Sequence, residues 1–131
     1  MESEFDRKVS QLLERDSRFD RSVYSFTSEA VAFTVSALSR RRHVSAAELL
    51  EGFRAFAVKT YGAVAGSVME SWGVKKEDDV GTVVYQMIEA GLLRASEEDS
   101  PEDFRTGRDL FPPAPVIRTV RRKSDKLPMI D

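Results

Sequence analysis

Three glycines divide the middle of this chain into helix-sized pieces, and each follows an apolar stripe with helical spacing. They are Gly62, Gly73 and Gly91. The first piece opens at Ser45-Ala46-Ala47-Glu48. There the Ser hydroxyl is placed to accept from the Glu48 N–H and the carboxylate to reach back, which is a capping box. Val44 and Leu49 occupy the positions of a hydrophobic staple around that cap. Leu49, Leu50, Phe53, Phe56, Ala57 and Tyr61 continue the stripe to Gly62. The second piece places Val64, Val68 and Trp72 four apart, with Ala65 and Met69 beside them, and stops at Gly73. The third begins among Glu77, Asp78 and Asp79, whose charge suits a helix N-terminus. Val80, Val83, Val84, Met87 and Ile88 form its stripe. Gly91 ends it, and Leu92 stands where a Schellman motif returns an apolar contact to Met87.

The flanks add two more helices. Ser3 can cap a first one carrying Phe5, Val9, Leu12 and Leu13, with Asp6 in the reciprocal position. A longer one is expected from about Arg21 to Ser39. Its Val23, Tyr24, Phe26, Ala30, Val31, Phe33, Val35 and Leu38 fall on more than one face, which makes it the expected central helix. Arg40, Arg41 and Arg42 close it, basic where the dipole favours cations. After Leu93 comes a polar, acidic stretch, then Ser100-Pro101-Glu102-Asp103-Phe104, a short helix start with Pro at its first position. Thr106-Gly107 ends it. The expectation is an all-α bundle of about five helices over residues 1–110.

Residues 111–131 are read as an extended arm. Phe111-Pro112-Pro113-Ala114-Pro115 favours polyproline II, and Val116 to Val120 alternates weakly. The whole chain has a formal net charge of −2. Residues 114–131 carry five Lys/Arg against two Asp/Glu, so the preceding 113 residues are net −5. Such a balance is not that of a chain built throughout to bind a polyanion. With no cysteine there is neither disulfide nor thiolate chemistry. Met1 leads into Glu-Ser-Glu-Phe-Asp, without the basic start and apolar run of a signal peptide. No stretch approaches the roughly 20 apolar residues of a membrane span. The location expected is the cytoplasm.

Several segments together resemble a family of small bacterial proteins of uncharacterised function. They are Phe19-Asp20-Arg21 with Tyr24, His43-Val44-Ser45, Glu48-Leu49-Leu50-Glu51-Gly52, Trp72-Gly73-Val74, Met87 to Leu93, Glu98-Asp99-Ser100, and Glu102-Asp103-Phe104. The resemblance covers about residues 1–104 and leaves out the arm. It implies a small cytoplasmic domain and brings no activity or binding residue with it.

Side chains that suggest chemistry have simpler readings. His43, the single histidine, precedes a cap, and a catalytic pairing with Ser45 would compete with the capping role of that serine. No Gly-x-Ser-x-Gly elbow is present. Asp78 and Asp79 point about 100° apart on a helix and do not converge. The acidic run from Glu97 to Asp103 lacks the glycine and alternating oxygens of a calcium loop. Trp72 reads as core. The glycines form no phosphate-cradling motif. Neither cofactor nor metal is expected, and no enzymatic activity.

Gly73 to Lys76 joins two helices in a helix-turn-helix-like way. The second helix, however, would present Glu77, Asp78 and Asp79 to phosphates, which repels them. That leaves the arm as the expected contact element. Val116, Ile117, Val120, Leu127, Met129 and Ile130 are its apolar anchors. Arg118, Arg121, Arg122, Lys123 and Lys126 are its charges. The function expected is a non-enzymatic adaptor or assembly factor that binds a protein partner or a second copy. The alternative is a nucleic-acid or ribonucleoprotein binder, using the basic cluster of the arm and Arg40 to Arg42. A plain tail remains the simplest fate of such a terminus.

Overall fold

The computed structural model describes residues 3–38, 44–94 and 100–111. Among these the protein is all-α: α1 (Glu4–Arg15), α2 (Ser22–Ser36), α3 (Ala46–Tyr61), α4 (Ala65–Ser71) and α5 (Glu77–Glu89), with 3-10 turns at Gly62–Val64 and Pro101–Phe104. No helix of the described residues is long and apolar enough to cross a membrane.

The helix ends follow local chemistry. Ser3 caps α1 by accepting from the Asp6 N–H. At α3 both halves of the capping box are made: Ser45 Oγ accepts from Glu48 N at 3.1 Å, and Glu48 Oε1 accepts from Ser45 N at 3.0 Å. Ser45→Ala should therefore cost about 0.5–2 kcal/mol, and Glu48→Ala less. Urea unfolding of the singles and the double checks this, and fully additive losses would mean the two side chains share no motif. Two Schellman motifs close α4 and α5. Gly73 N–H donates to Glu70 O and Val74 N–H to Met69 O; Gly91 N–H donates to Ile88 O and Leu92 N–H to Met87 O. Both glycines hold positive φ, 95° and 80°, where a Cβ would be strained.

α2 packs along α3 and also meets α5. Its buried residues are Val23, Tyr24, Phe26, Thr27, Ala30 and Thr34, whereas Phe33, Val31 and Val35 are only half-buried. The apolar residues of α2 therefore run round the helix beyond the buried face, and two threonines take places within it. Thr34 tolerates burial because its hydroxyl donates to Ala30 O at 2.7 Å, satisfying the group locally. Phe26 is the hub of an aromatic cluster, 5.1 Å from both Phe53 and Phe56 and 5.5 Å from Trp72. Trp72 is half-buried and packs on this core, and Tyr61 lies against both Trp72 and Phe26.

In α4 the buried side chains are Ala65 and Met69. Val68 is half-buried, and Val64, expected on the same stripe, is 56% exposed. The reason is the 3-10 turn at Gly62–Val64. Its tighter winding shifts Val64 out of phase with the helix that follows.

Candidate functional site

All the arm residues expected to bind a partner lie outside the described residues: Val116, Ile117, Arg118, Val120, Arg121, Arg122, Lys123, Lys126, Leu127, Met129 and Ile130. So do Arg40, Arg41, Arg42, His43 and the acidic residues 97–99. The base of the arm is described, and its construction was not visible in the sequence.

Residues 100–111 form a strap across the N-terminal end of α5. Ser100 opens it by accepting from Glu102 N–H at 3.2 Å, while Asp103 reaches back to Ser100 N–H at 3.3 Å. Pro101–Phe104 is one 3-10 turn, and Phe104 is 4% exposed. Phe104 can approach α5 so closely because residue 81 is glycine. A Cβ there would lie 2.3 Å from Phe104 Cβ. Beyond the turn the chain makes an antiparallel bridge between Lys76 and Asp109. Glu77 N–H donates to Arg108 O at 3.0 Å, and Leu110 N–H donates to Lys75 O at 2.9 Å. The first of these satisfies an N–H group that a helix N-terminus otherwise leaves open.

The side chains of the same helix end are bound up with the strap. Glu77 is buried. Its carboxylate accepts from Thr106 Oγ1 at 2.6 Å, from Arg54 at 3.1 Å and from Arg108 at 3.2 Å. Burial pushes its pKa up, but the hydrogen bonds from Thr106, Arg108 and Arg54, with the Arg108 charge, outweigh that and leave it below its ordinary value. Asp78 accepts from Gly107 N–H at 2.9 Å. Asp79 accepts from the Lys75 and Lys76 N–H groups at 2.9 and 3.0 Å and from the Arg18 guanidinium. Asp78 and Asp79 thus serve different elements and do not converge on one point. Lys76 and Asp109 add a surface pair at 3.1 Å, which contributes little by itself.

Leu110, 1% exposed, is the last fully buried residue of the strap. Phe111, which opened the arm in the sequence reading, is half-buried against the core and lies against Gly66 of α4. The chain therefore reaches Pro112 from a fixed point on α4 and α5.

A second polar chain joins α1, α2 and α5. Tyr24 donates to Gln86 Oε1 at 2.7 Å, and Gln86 Nε2 donates to Asp16 Oδ2 at 2.9 Å. The phenol is pushed up to about 12, first by burial and then by the Asp16 charge. It remains a protonated donor at neutral pH and ties three helices together. Among the described residues no group of three or more His, Cys, Asp or Glu is placed to hold a metal ion.

The long-range partners in these clusters gave no local signal in the sequence. Arg54 and Glu77 are 23 residues apart, and Glu77 and Arg108 are 31 apart. Comparison of the chain with protein-family models, curated proteins and solved structures finds no match.

Proposed function

We propose that this protein is a non-enzymatic interaction module, an adaptor or assembly factor, whose helical body presents the C-terminal arm from a fixed exit. The observation that carries this reading is the anchoring of residues 104–111. Phe104 and Leu110 are buried, Glu77 binds Thr106 and Arg108, and Phe111 packs on Gly66, all immediately before Pro112. An inert tail has no need of such a base. For a contact element, a fixed origin confines where the arm can search and lowers the entropy lost on binding. Twenty residues lie beyond Phe111, enough to span up to ~70 Å when extended.

The chemistry of the arm favours a protein partner with an acidic rim. Val116, Ile117, Val120, Leu127, Met129 and Ile130 supply apolar contact, and Arg118, Arg121, Arg122, Lys123 and Lys126 supply steering. The body, net −5 over residues 1–113, opposes a polyanion held close to it. The α4–α5 pair, read as helix-turn-helix-like, serves packing in this proposal, because the strap covers the end of α5 that would approach phosphates.

The test compares the full chain with a version ending at Phe111 in pull-downs with and without nuclease, followed by binding to the captured partner across a salt series. For a protein partner, Ile117→Asp or Met129→Asp should abolish binding, while about 0.3 M salt weakens it only modestly. A nucleic-acid partner held by five phosphate contacts would instead give a log–log salt slope of about −3.5 to −4.5. A steep slope with no effect of Ile117→Asp would reject the protein partner. Equal capture by the full and shortened chains would reject the arm as the contact element.

A further inference from the structure

The C-terminal half of α2, the first turn of α3 and the end of α5 enclose a half-open cavity of about 350 Å³. Val31 and Val35 form one wall, Leu49 the back, and Ile88 and Leu92 the other wall, with Phe104 of the strap also lining it. This cavity has a mostly apolar lining. Its volume falls within the range of small-molecule pockets, roughly 300–1,000 Å³, which are mostly apolar with a few placed polar groups.

The polar residues of the lining are few: Ser45, Tyr85 and Arg94. Ser45 lines the cavity but is committed to its cap. Arg94 also lines it, is exposed, and has no ion-pair partner among the described residues. A cation at the rim of an apolar pocket selects a molecule with an apolar body and one anionic end. A peptide segment suits it poorly, because its N–H and C=O groups would lie unpaired against valine, leucine and isoleucine. A hydrocarbon chain has no such groups to satisfy.

We infer that this cavity binds a medium-chain carboxylate, with the chain between α2 and α5 and the head group beside Arg94. The inference is independent of the arm and of the proposed interaction function. The contact with Arg94 is partly exposed, so the apolar walls supply most of the affinity and the charge supplies selectivity for the acid over the corresponding alcohol.

The test titrates the full-length protein calorimetrically with dodecanoate, kept below its micellar concentration, and with dodecan-1-ol. Binding of both is expected, dodecanoate the tighter. Val35→Trp, which fills the cavity from a half-buried position, should weaken both at least tenfold; Ile88→Trp serves if that variant does not fold by circular dichroism. Arg94→Gln should weaken dodecanoate by about 3- to 10-fold, the range for a partly exposed charge-assisted contact, and leave the alcohol unchanged. In methyl-labelled protein, dodecanoate should shift Val35, Ile88 and Leu92. Absence of binding overturns the inference, as does binding indifferent to both tryptophan variants. Shifts confined to Val58 and Val74, beside the groove at Gly66, would also overturn it by moving the ligand elsewhere. Cross-peaks showing other residues of the chain already filling the pocket in the free protein would give the cavity to the chain itself.

Discussion

Gly81→Ala is expected to destabilise the protein by about 2–3 kcal/mol, although helix propensity alone would reward the change by ~1 kcal/mol. The sign is decided by tertiary contact. Gly81 is buried in the middle of α5, and a Cβ there would meet Phe104 Cβ at 2.3 Å and Phe104 Cγ at 2.7 Å. A rotamer change cannot relieve a clash with a Cβ atom, so the strap itself must shift. Fully exposing Phe104 costs about 1.5–3 kcal/mol, and a displaced strap also loosens Thr106 and Arg108 from Glu77. Urea unfolding measures the net loss, and hydrogen exchange at Leu110 N–H reports the strap directly. Phe104→Ala in the same chain should not restore stability, because it retains the Cβ. A Gly81→Ala protein more stable than the parent would show that the strap does not pack as described.

Glu77→Ala should cost about 2–4 kcal/mol, the range for breaking a buried ion pair reduced for the solvent exposure of its arginines. Its side chain is 6% exposed, against 33% for Arg54 and 72% for Arg108. The Arg54 contact therefore carries most of the electrostatic part, and losing the Thr106 contact adds little, because Thr106 is exposed and its hydroxyl still accepts from Arg108 N–H. The same group sets a pH dependence. The folded-state pKa of Glu77 lies below its ordinary value, so its stabilisation is fully present above the unfolded carboxylate pKa of about 4.3. That stabilisation is lost as pH falls through the folded value. Unfolding free energy measured from neutral pH down into the acid range should drop more steeply for the parent than for Glu77→Gln. Parallel curves would mean that Glu77 is not the carboxylate bound by Arg54 and Arg108. In acid, the exchange protection of Leu110 should fall with the loss of Glu77 charge, because the clasp and the base of the arm are one structure.

The sequence by itself determined the helices and most of their ends, because those are local; α2 stops at Ser36, short of the expected Ser39, and Val64 falls in a 3-10 turn before α4. Ser45 and Glu48 are three residues apart, within reach of one turn, and the Schellman bonds after Met69 and Met87 span five residues. Short-range spacing also fixed the stripe of Val80, Val83, Val84 and Met87, which are buried as read, while Ile88 of the same stripe is half-buried. Tertiary structure decided what each helix faces. Thr27 and Thr34 took core positions on α2 while Phe33 remained half-exposed, because burial depends on where α3 and α5 lie and not on hydropathy alone. The acidic start of α5 was legible as favourable helix-end charge. Its role in binding Arg18, Arg54, Thr106 and Arg108 was not, since those partners are brought together only by the fold. The cavity beside Arg94 was equally invisible, for a void is a property of how α2, α3 and α5 meet, and no single segment encodes it.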